Sequence, residues 1–206
     1  MENDDRMVCN RFMEAANNCY YRNVPTSTDF LDIYKQNLFN TVIRELPPVQ
    51  YRFDGGYELA ERKVIMFLPQ DSEISDLPFL TLKVTPRNLH FTEKLNHRDY
   101  LGSIMGLGIK RDKVGDILLY DNCAYIFCMK SIAEYLTDNL LKIRNTYVTV
   151  TEISNEEFIY EPSYEVIKGS VASLRLDAVI ALGFNGSRSH ITSYICLLYT
   201  SDAADE

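Results

Sequence analysis

Between residues 79 and 153 two hydrophobic periodicities alternate, and their order restricts the topology more than any other feature of the chain. Phe79–Val84 reads as a strand and His97–Gly106 as a helix. Asp116–Tyr120 and Ala124–Met129 read as two strands joined by a turn at Asp121-Asn122. Ser131-Ile132-Ala133-Glu134 has the form of a capping box, the serine taking an amide and the glutamate reaching back. Behind it Ile132, Leu136, Leu140 and Ile143 fall on one helical face, and Tyr147–Ile153 alternates as a last strand. The order β-α-β-β-α-β predicts a ferredoxin-like (βαββαβ) domain over 79–153. Many functions live on that architecture, so function has to be argued from side chains.

Upstream, Val8, Phe12, Ala15 and Cys19 form an apolar stripe at helical spacing. Phe30, Ile33, Tyr34, Leu38, Val42 and Leu46 form a second, opened by Ser27-Thr28 as a cap and stopped by Pro47-Pro48. Val49–Phe53 and Val64–Leu68 are strand candidates on either side of an Asp54-Gly55-Gly56 turn. Residues 1–78 are therefore expected to make a small N-terminal α/β domain. An acidic linker containing Pro162 spans 154–170. Beyond it Leu174, Ala178, Ile180 and Ala181 support a helix, with Gly183 where a C-terminal cap favours a left-handed residue. Ser187 suits the N-cap of a second helix. The expected class is α+β.

Charge separates the same blocks. Residues 1–79 carry 8 basic and 13 acidic side chains, residues 80–150 carry 10 and 7, and residues 151–195 carry 3 and 6. A basic middle is thus hidden inside a chain of formal charge −8. Apolar runs such as Val64–Leu68 are far shorter than the ~18 residues of a membrane span. The acidic start has neither a basic nor an apolar leader region, which predicts a cytoplasmic protein without a secretory signal. Cysteines at 9, 19, 123, 128 and 196 form no CxxC pair and accompany only three histidines. Neither a disulfide framework nor a Cys/His metal site is expected. The end of the chain, 196–206, resembles the translated adapter of a sequencing library, so the natural gene is expected to continue past Ile195 and the chain to be a fragment.

The segment Arg175-Leu176-Asp177, followed by Gly183 and Ser187-Arg188-Ser189, resembles in its spacing the opening of the S4 RNA-binding domain. Amides at a helix start bind phosphate, and arginine forks pair with phosphate oxygens. The competing reading is a helical hairpin whose arginines are merely solvated. Thr85-Pro86-Arg87-Asn88-Leu89-His90-Phe91-Thr92 and the run from His97-Arg98-Asp99-Tyr100 to Lys110-Arg111-Asp112-Lys113-Val114-Gly115-Asp116-Ile117 resemble the middle domain of the bacterial YlmH-like S4-domain proteins. Asp54-Gly55-Gly56-Tyr57-Glu58-Leu59-Ala60-Glu61-Arg62-Lys63 resembles the N-terminal domain of that family, so the likeness covers 1–195.

The resemblance implies a three-part order: an N-terminal α/β domain, a middle RNA-binding domain and a C-terminal S4 domain. It implies RNA binding without known catalysis, association with the large ribosomal subunit and a link to ribosome quality control. Ribosomal RNA is then the expected partner, with tRNA and cell-division proteins as further candidates. Residues 171–195 match only the opening of an S4 domain, whose later β-strands have no counterpart here. Half of a small domain cannot bury its core by itself. Arg175, Ser187, Arg188 and Ser189 match the motif. In the basic middle, Arg87, His97, Arg98, Lys110, Arg111 and Lys113 are the candidates for phosphate contact, which gives salt-dependent affinity without sequence reading. A solvated loop at Lys110–Lys113, partly neutralised by Asp112, is the plainer alternative. Asp99 and Asp116 read as structural.

Enzyme signatures fail on inspection. His97-Arg98-Asp99 resembles a kinase catalytic loop, but no asparagine follows at the required offset and no nucleotide-binding glycine loop precedes it. Gly102, Gly106 and Gly108 match neither a Walker loop nor a dinucleotide fingerprint. No cofactor and no catalytic residue is expected. Two rivals remain from other classes: an RNA-modifying enzyme targeted by its S4 module, and an adaptor for the division machinery that docks through its acidic N-terminal part.

Overall fold

The computed structural model describes residues 3–70, 72, 76–88, 94–120, 123–154, 157, 158, 160, 166–171 and 173–184. Two compact units result, Met1–Tyr160 and Glu161–Glu206. Among the described residues, five α-helices and two antiparallel sheets make a mixed α and β protein. Among the described residues no helix is long and apolar enough to cross a membrane.

The first unit opens with helix α1 (Asn3–Arg22), strand β1 (Thr26–Ser27) and helix α2 (Ile33–Val42). Strands β2 (Gln50–Asp54) and β3 (Val64–Leu68) follow, and the sheet order is β1-β3-β2. Helix α1 buries Cys9, Phe12, Ala16 and Cys19 against Phe39 and Val42 of α2 and against Ile65 and Phe67 of β3. Phe39 is the hub of this cluster, its ring 5.4 Å from Phe12, 5.0 Å from Tyr51 and 5.5 Å from Phe53.

The register of α2 differs from the sequence reading. Ile33 and Tyr34 face solvent, and Phe39 carries the burial. The cap is Asp32, whose carboxylate accepts the Lys35 amide at 2.8 Å, because Ser27 is already committed to β1. Thr28 instead accepts the Ile65 amide at 2.9 Å and fixes the edge of β3.

The larger sheet has the order β5-β6-β4-β8-β7, every neighbouring pair antiparallel. Its strands are β4 (Phe79–Pro86), β5 (Val114–Tyr120), β6 (Cys123–Met129), β7 (Lys142–Ile143) and β8 (Thr146–Ile153). Helix α3 (His97–Gly106) links β4 to β5, and α4 (Lys130–Asn139) links β6 to the β7–β8 hairpin. One face of this sheet, with Leu82, Val84, Ile117, Ala124, Ile126, Val148 and Val150, packs on Tyr100 and Ile104 of α3 and Ala133 and Leu136 of α4. The expected turn at Asp121-Asn122 lies outside the described residues.

Two local expectations are corrected here. Helix α4 begins directly where β6 ends, so Ser131 sits inside its first turn; Met129 is the cap residue, without a side-chain bond. The Lys130 amide finds its partner in the Pro78 carbonyl at 3.0 Å. Ile143 is buried as expected, but from β7, because the helix stops at Asn139.

Strand β3 is buried on both faces, which explains why Val64–Leu68 shows no alternation. Ile65 and Phe67 turn toward α1 and α2. Val64 and Met66 turn the other way and pack with Phe30, Phe79, Phe127 and Met129. The N-terminal sheet therefore covers one end of the larger sheet's second face. Gly56 and Gly115 allow that approach: a Cβ at Gly115 would stand 2.7 Å from the Phe30 ring.

In the second unit, helix α5 spans Leu176–Gly183 and buries Ala178 and Ala181. Leu174 lies before the helix and is 95% exposed, so it does not join the apolar face expected of it. Gly183 is the last helical residue, and Phe184 takes the cap position at φ −101° without a left-handed residue. The expected second helix, its cap Ser187 and the tail 196–206 lie outside the described residues.

Candidate nucleic-acid interface

The basic residues of the middle segment are held in three different ways. His97 and Arg98 open α3 and are exposed. The helix start beneath them is rigid: the Asn96 side chain accepts the Asp99 amide at 3.2 Å, and the Asp99 carboxylate accepts the Asn96 amide at 2.9 Å. Arg144, at φ 50° in the β7–β8 turn, reaches the same carboxylate at 3.6 Å. Asp99 thus caps the helix and orients an arginine. Cations in this first turn add to a dipole end that already favours anions.

The run Lys110–Lys113 divides. Lys110 is exposed and lines a cleft with Arg11, Lys35 and Lys113. Arg111 turns inward, its Nη1 donating to the Val114 carbonyl at 2.5 Å and the Gly115 carbonyl at 3.1 Å. Burial lowers its pKa, and the neighbouring Arg62 charge lowers it further, while Asp116 and Asp32 oppose the shift. Lys113 holds both carboxylate oxygens of Asp29, at 2.6 and 2.7 Å, and joins β5 to the N-terminal segment.

Arg87 closes β4 beside the β7–β8 hairpin. Its amide donates to the Tyr147 carbonyl at 2.9 Å and its Nε to the Val148 carbonyl at 3.2 Å, leaving the guanidinium end at the surface. In the second unit Arg175 is the cap residue of α5 and reaches Asp177 at 3.0 Å. Ser187, Arg188 and Ser189 lie outside the described residues. His97, Arg98, Lys110 and Arg87 thus stand at the surface, whereas Arg111 and Lys113 are engaged inside the fold.

A second arginine does structural work that the sequence reading did not assign. Arg62 donates from Nε to the Val114 carbonyl at 3.1 Å and from Nη2 to the Phe30 carbonyl at 3.1 Å. Asp116 accepts the Tyr57 hydroxyl and the Glu61 amide, both at 2.8 Å, and the Arg62 amide at 3.2 Å. These bonds tie the Asp54–Lys63 loop to β5. Side chains of β4, β6 and β8 on the face away from α3 and α4 were also missed. Their signal was the period-two alternation around Tyr125 and Tyr147, read only as strand.

Residues 83–157 match the family described as "Putative RNA-binding domain in YlmH". Over that segment the chain is similar to YlmH. It is 30% identical over 158 residues to "Ribosome-associated protein quality control protein P2" of Bacillus subtilis (strain 168), a match covering 75% of this chain. The chain spans 60% of that relative's length. The structure of "Cell division protein ylmH from Streptococcus pneumoniae" superposes with a TM-score of 0.61 over 78% of this chain and 97% of that one. At 22% identity the superposition speaks for the fold. The YlmH-like match begins within β4 and ends just past β8, so it takes in both helices of the larger sheet and Arg87, His97, Arg98 and Lys110.

Proposed function

We propose that this is a noncatalytic, cytoplasmic RNA-binding protein that associates with ribosomes and takes ribosomal RNA of the large subunit as its ligand. Its setting is ribosome-associated quality control, the role carried in the name of its Bacillus subtilis relative. One observation carries the reading: the RNA-binding family match falls on 83–157, where Arg87, His97, Arg98 and Lys110 stand exposed within an otherwise acidic chain. Exposed cations neutralise phosphates and release counterions, which suits a structured, highly charged RNA. Arg175 with Ser187, Arg188 and Ser189 would add contacts from the S4-like segment. The βαββαβ order of 79–153 gives this reading a sheet with helices on one side.

Sedimentation with purified ribosomal subunits at low and moderate salt tests it, using the chain beside a version carrying a completed S4 domain. Co-sedimentation with the large subunit that weakens steeply with salt is expected. If neither version travels with the large subunit, the ribosome reading falls, and the adaptor reading gains.

A further inference from the structure

Among the described residues, the face of the larger sheet turned away from α3 and α4 is covered at one end only. There Phe79, Phe127 and Met129 meet Phe30, Val64 and Met66. Phe158 lies against the same end, 5.3 Å from the Phe127 ring and 5.1 Å from Tyr125. Tyr125, half-buried beside Phe158, marks the border of that cover, and from there the register sets Lys83 opposite Tyr125 on β6 and Thr151 on β8, and Lys142 opposite Tyr147. Tyr147 is 59% exposed, and Tyr120, edge-on to Tyr125 at 5.3 Å, is 39% exposed.

The chemistry of this open end is specific. Each principal ring has its own ammonium: Lys83 lies 5.8 Å from the Tyr125 centroid and Lys142 5.3 Å from the Tyr147 centroid. Both distances are near the outer reach of cation–π attraction, about 6 Å, so either lysine can leave its ring at small cost. Between the rings the described strand positions carry Thr85, Thr149 and Thr151 and no large aliphatic side chain, which does not suit an apolar protein partner. Asp116 is the one carboxylate that the described strand positions put on this side, and it is held by Tyr57, Glu61 and Arg62. Strand geometry places Tyr125 and Tyr147 about 16 Å apart, a span that a short extended oligonucleotide bridges.

We propose that this face binds single-stranded RNA, with unpaired bases stacking on Tyr125 and Tyr147 and the backbone phosphates taken by Lys83 and Lys142. The proposal deepens the RNA-binding reading above and rests on it. Stacking on exposed aromatic rings needs unstacked bases, so a duplex, whose bases are turned inward, cannot use the platform. Charge complementarity selects the occupant: a hydroxyl-rich aromatic surface whose one carboxylate is already engaged and whose ammonium groups face the rings fits a polyanion with π faces.

Fluorescence anisotropy on the full chain tests this, with a labelled oligouridine and a labelled RNA hairpin of equal length as probes. Tyr125→Leu and Tyr147→Leu are each expected to weaken oligouridine binding roughly tenfold, with hairpin binding and salt dependence unchanged. Tyr125→Phe and Tyr147→Phe, which keep the ring, retain wild-type affinity. Thermal melting confirms that each variant is folded, and exposed Tyr147 supplies the result even if Tyr125→Leu disturbs the Phe158 packing. Leucine variants that bind oligouridine like the wild type overturn the stacking platform while leaving RNA binding standing. Phenylalanine variants that lose as much as leucine overturn it as well. A wild-type chain that binds neither probe overturns both this proposal and the RNA-binding reading beneath it.

Discussion

Tyr57 donates its phenolic hydrogen to Asp116 at 2.8 Å, across 59 positions of sequence. The same carboxylate takes the Glu61 and Arg62 amides, so one side chain on β5 organises the loop that precedes β3. Asp116→Ala would strand three donors, and hydrogen bonds to a charged acceptor carry about 1.5–3 kcal/mol each in mutational series. Partial exposure lets water replace some of that. We expect a loss of about 2 kcal/mol, seen as a fall of about 4–8 °C in Tm. A variant melting with the wild type would show that the loop is held by its apolar contacts alone.

The alkaline limb of stability follows from the same region and from the sheet core. Burial, then the Asp116 hydrogen bond, raises the Tyr57 pKa. Burial, with a smaller contribution from Glu152, raises the Cys128 thiol from its ordinary 9.0 to about 12. Both groups are neutral in the folded protein where the unfolded chain would ionise them. Their stabilisation is complete below the unfolded values and is lost as pH rises. Urea midpoints are therefore expected to be flat from pH 7 to about 9 and to fall beyond it. Cys128→Ala removes the part of the fall between 9.0 and about 12, and Tyr57→Phe removes part of what develops above about pH 10. An unchanged alkaline limb in both variants would rule these groups out as its cause.

How far the sequence could be read depended on whether a pattern was local. His97–Gly106 and Val64–Leu68 were found with the bounds the structure gives them, because a helix stripe and an unbroken apolar run are visible in a short window. Phe39 escaped notice as the hub of the N-terminal core because Ile33, Tyr34 and Leu38 offered an equally regular stripe; only the position of β3 selects between the two faces. Ser131 had the composition of a cap but lost the role because a strand runs straight into α4. Among the candidate phosphate binders, Lys110, Arg111 and Lys113 look equivalent in sequence. Which of them turns inward is set by carbonyls at Val114 and Gly115 and by the Asp29 carboxylate, the last of these 84 residues away.

Gly56 tests the seam between the two sheets. It holds φ +93°, a left-handed conformation that costs a side-chain-bearing residue about 1 kcal/mol or more. A Cβ there would also stand 2.4 Å from the Phe127 ring, deep in the cluster shared by β3, β4 and β6. Strain and overpacking act together, and Gly56→Ala is expected to lose about 3 kcal/mol or to accumulate insoluble. Gly102→Ala is the control, since nothing lies within 4 Å of a Cβ there and alanine favours the helix. If the two variants melted alike, the tight approach at Phe127 would have no energetic weight.

The division of the Lys110–Lys113 run separates binding from stability. Arg98 and Lys110 are exposed, so their alanine variants should melt with the wild type. If they meet phosphate, each should lower the magnitude of the salt slope of RNA binding by about 1 and weaken all RNAs alike. Arg111 behaves oppositely: its guanidinium spans the Val114 and Gly115 carbonyls in a half-buried site, and Arg111→Ala removes a donor from both, leaving Val114 its bond from Arg62. A stability loss of about 2 kcal/mol is expected there, with the salt slope unchanged in the fraction that remains folded. Filter binding across a salt series, paired with thermal melts, reads both quantities for each variant. A slope that changes in Arg111→Ala and holds in Arg98→Ala would reverse the assignment, placing the inward-facing arginine at the RNA and the exposed one outside the interface.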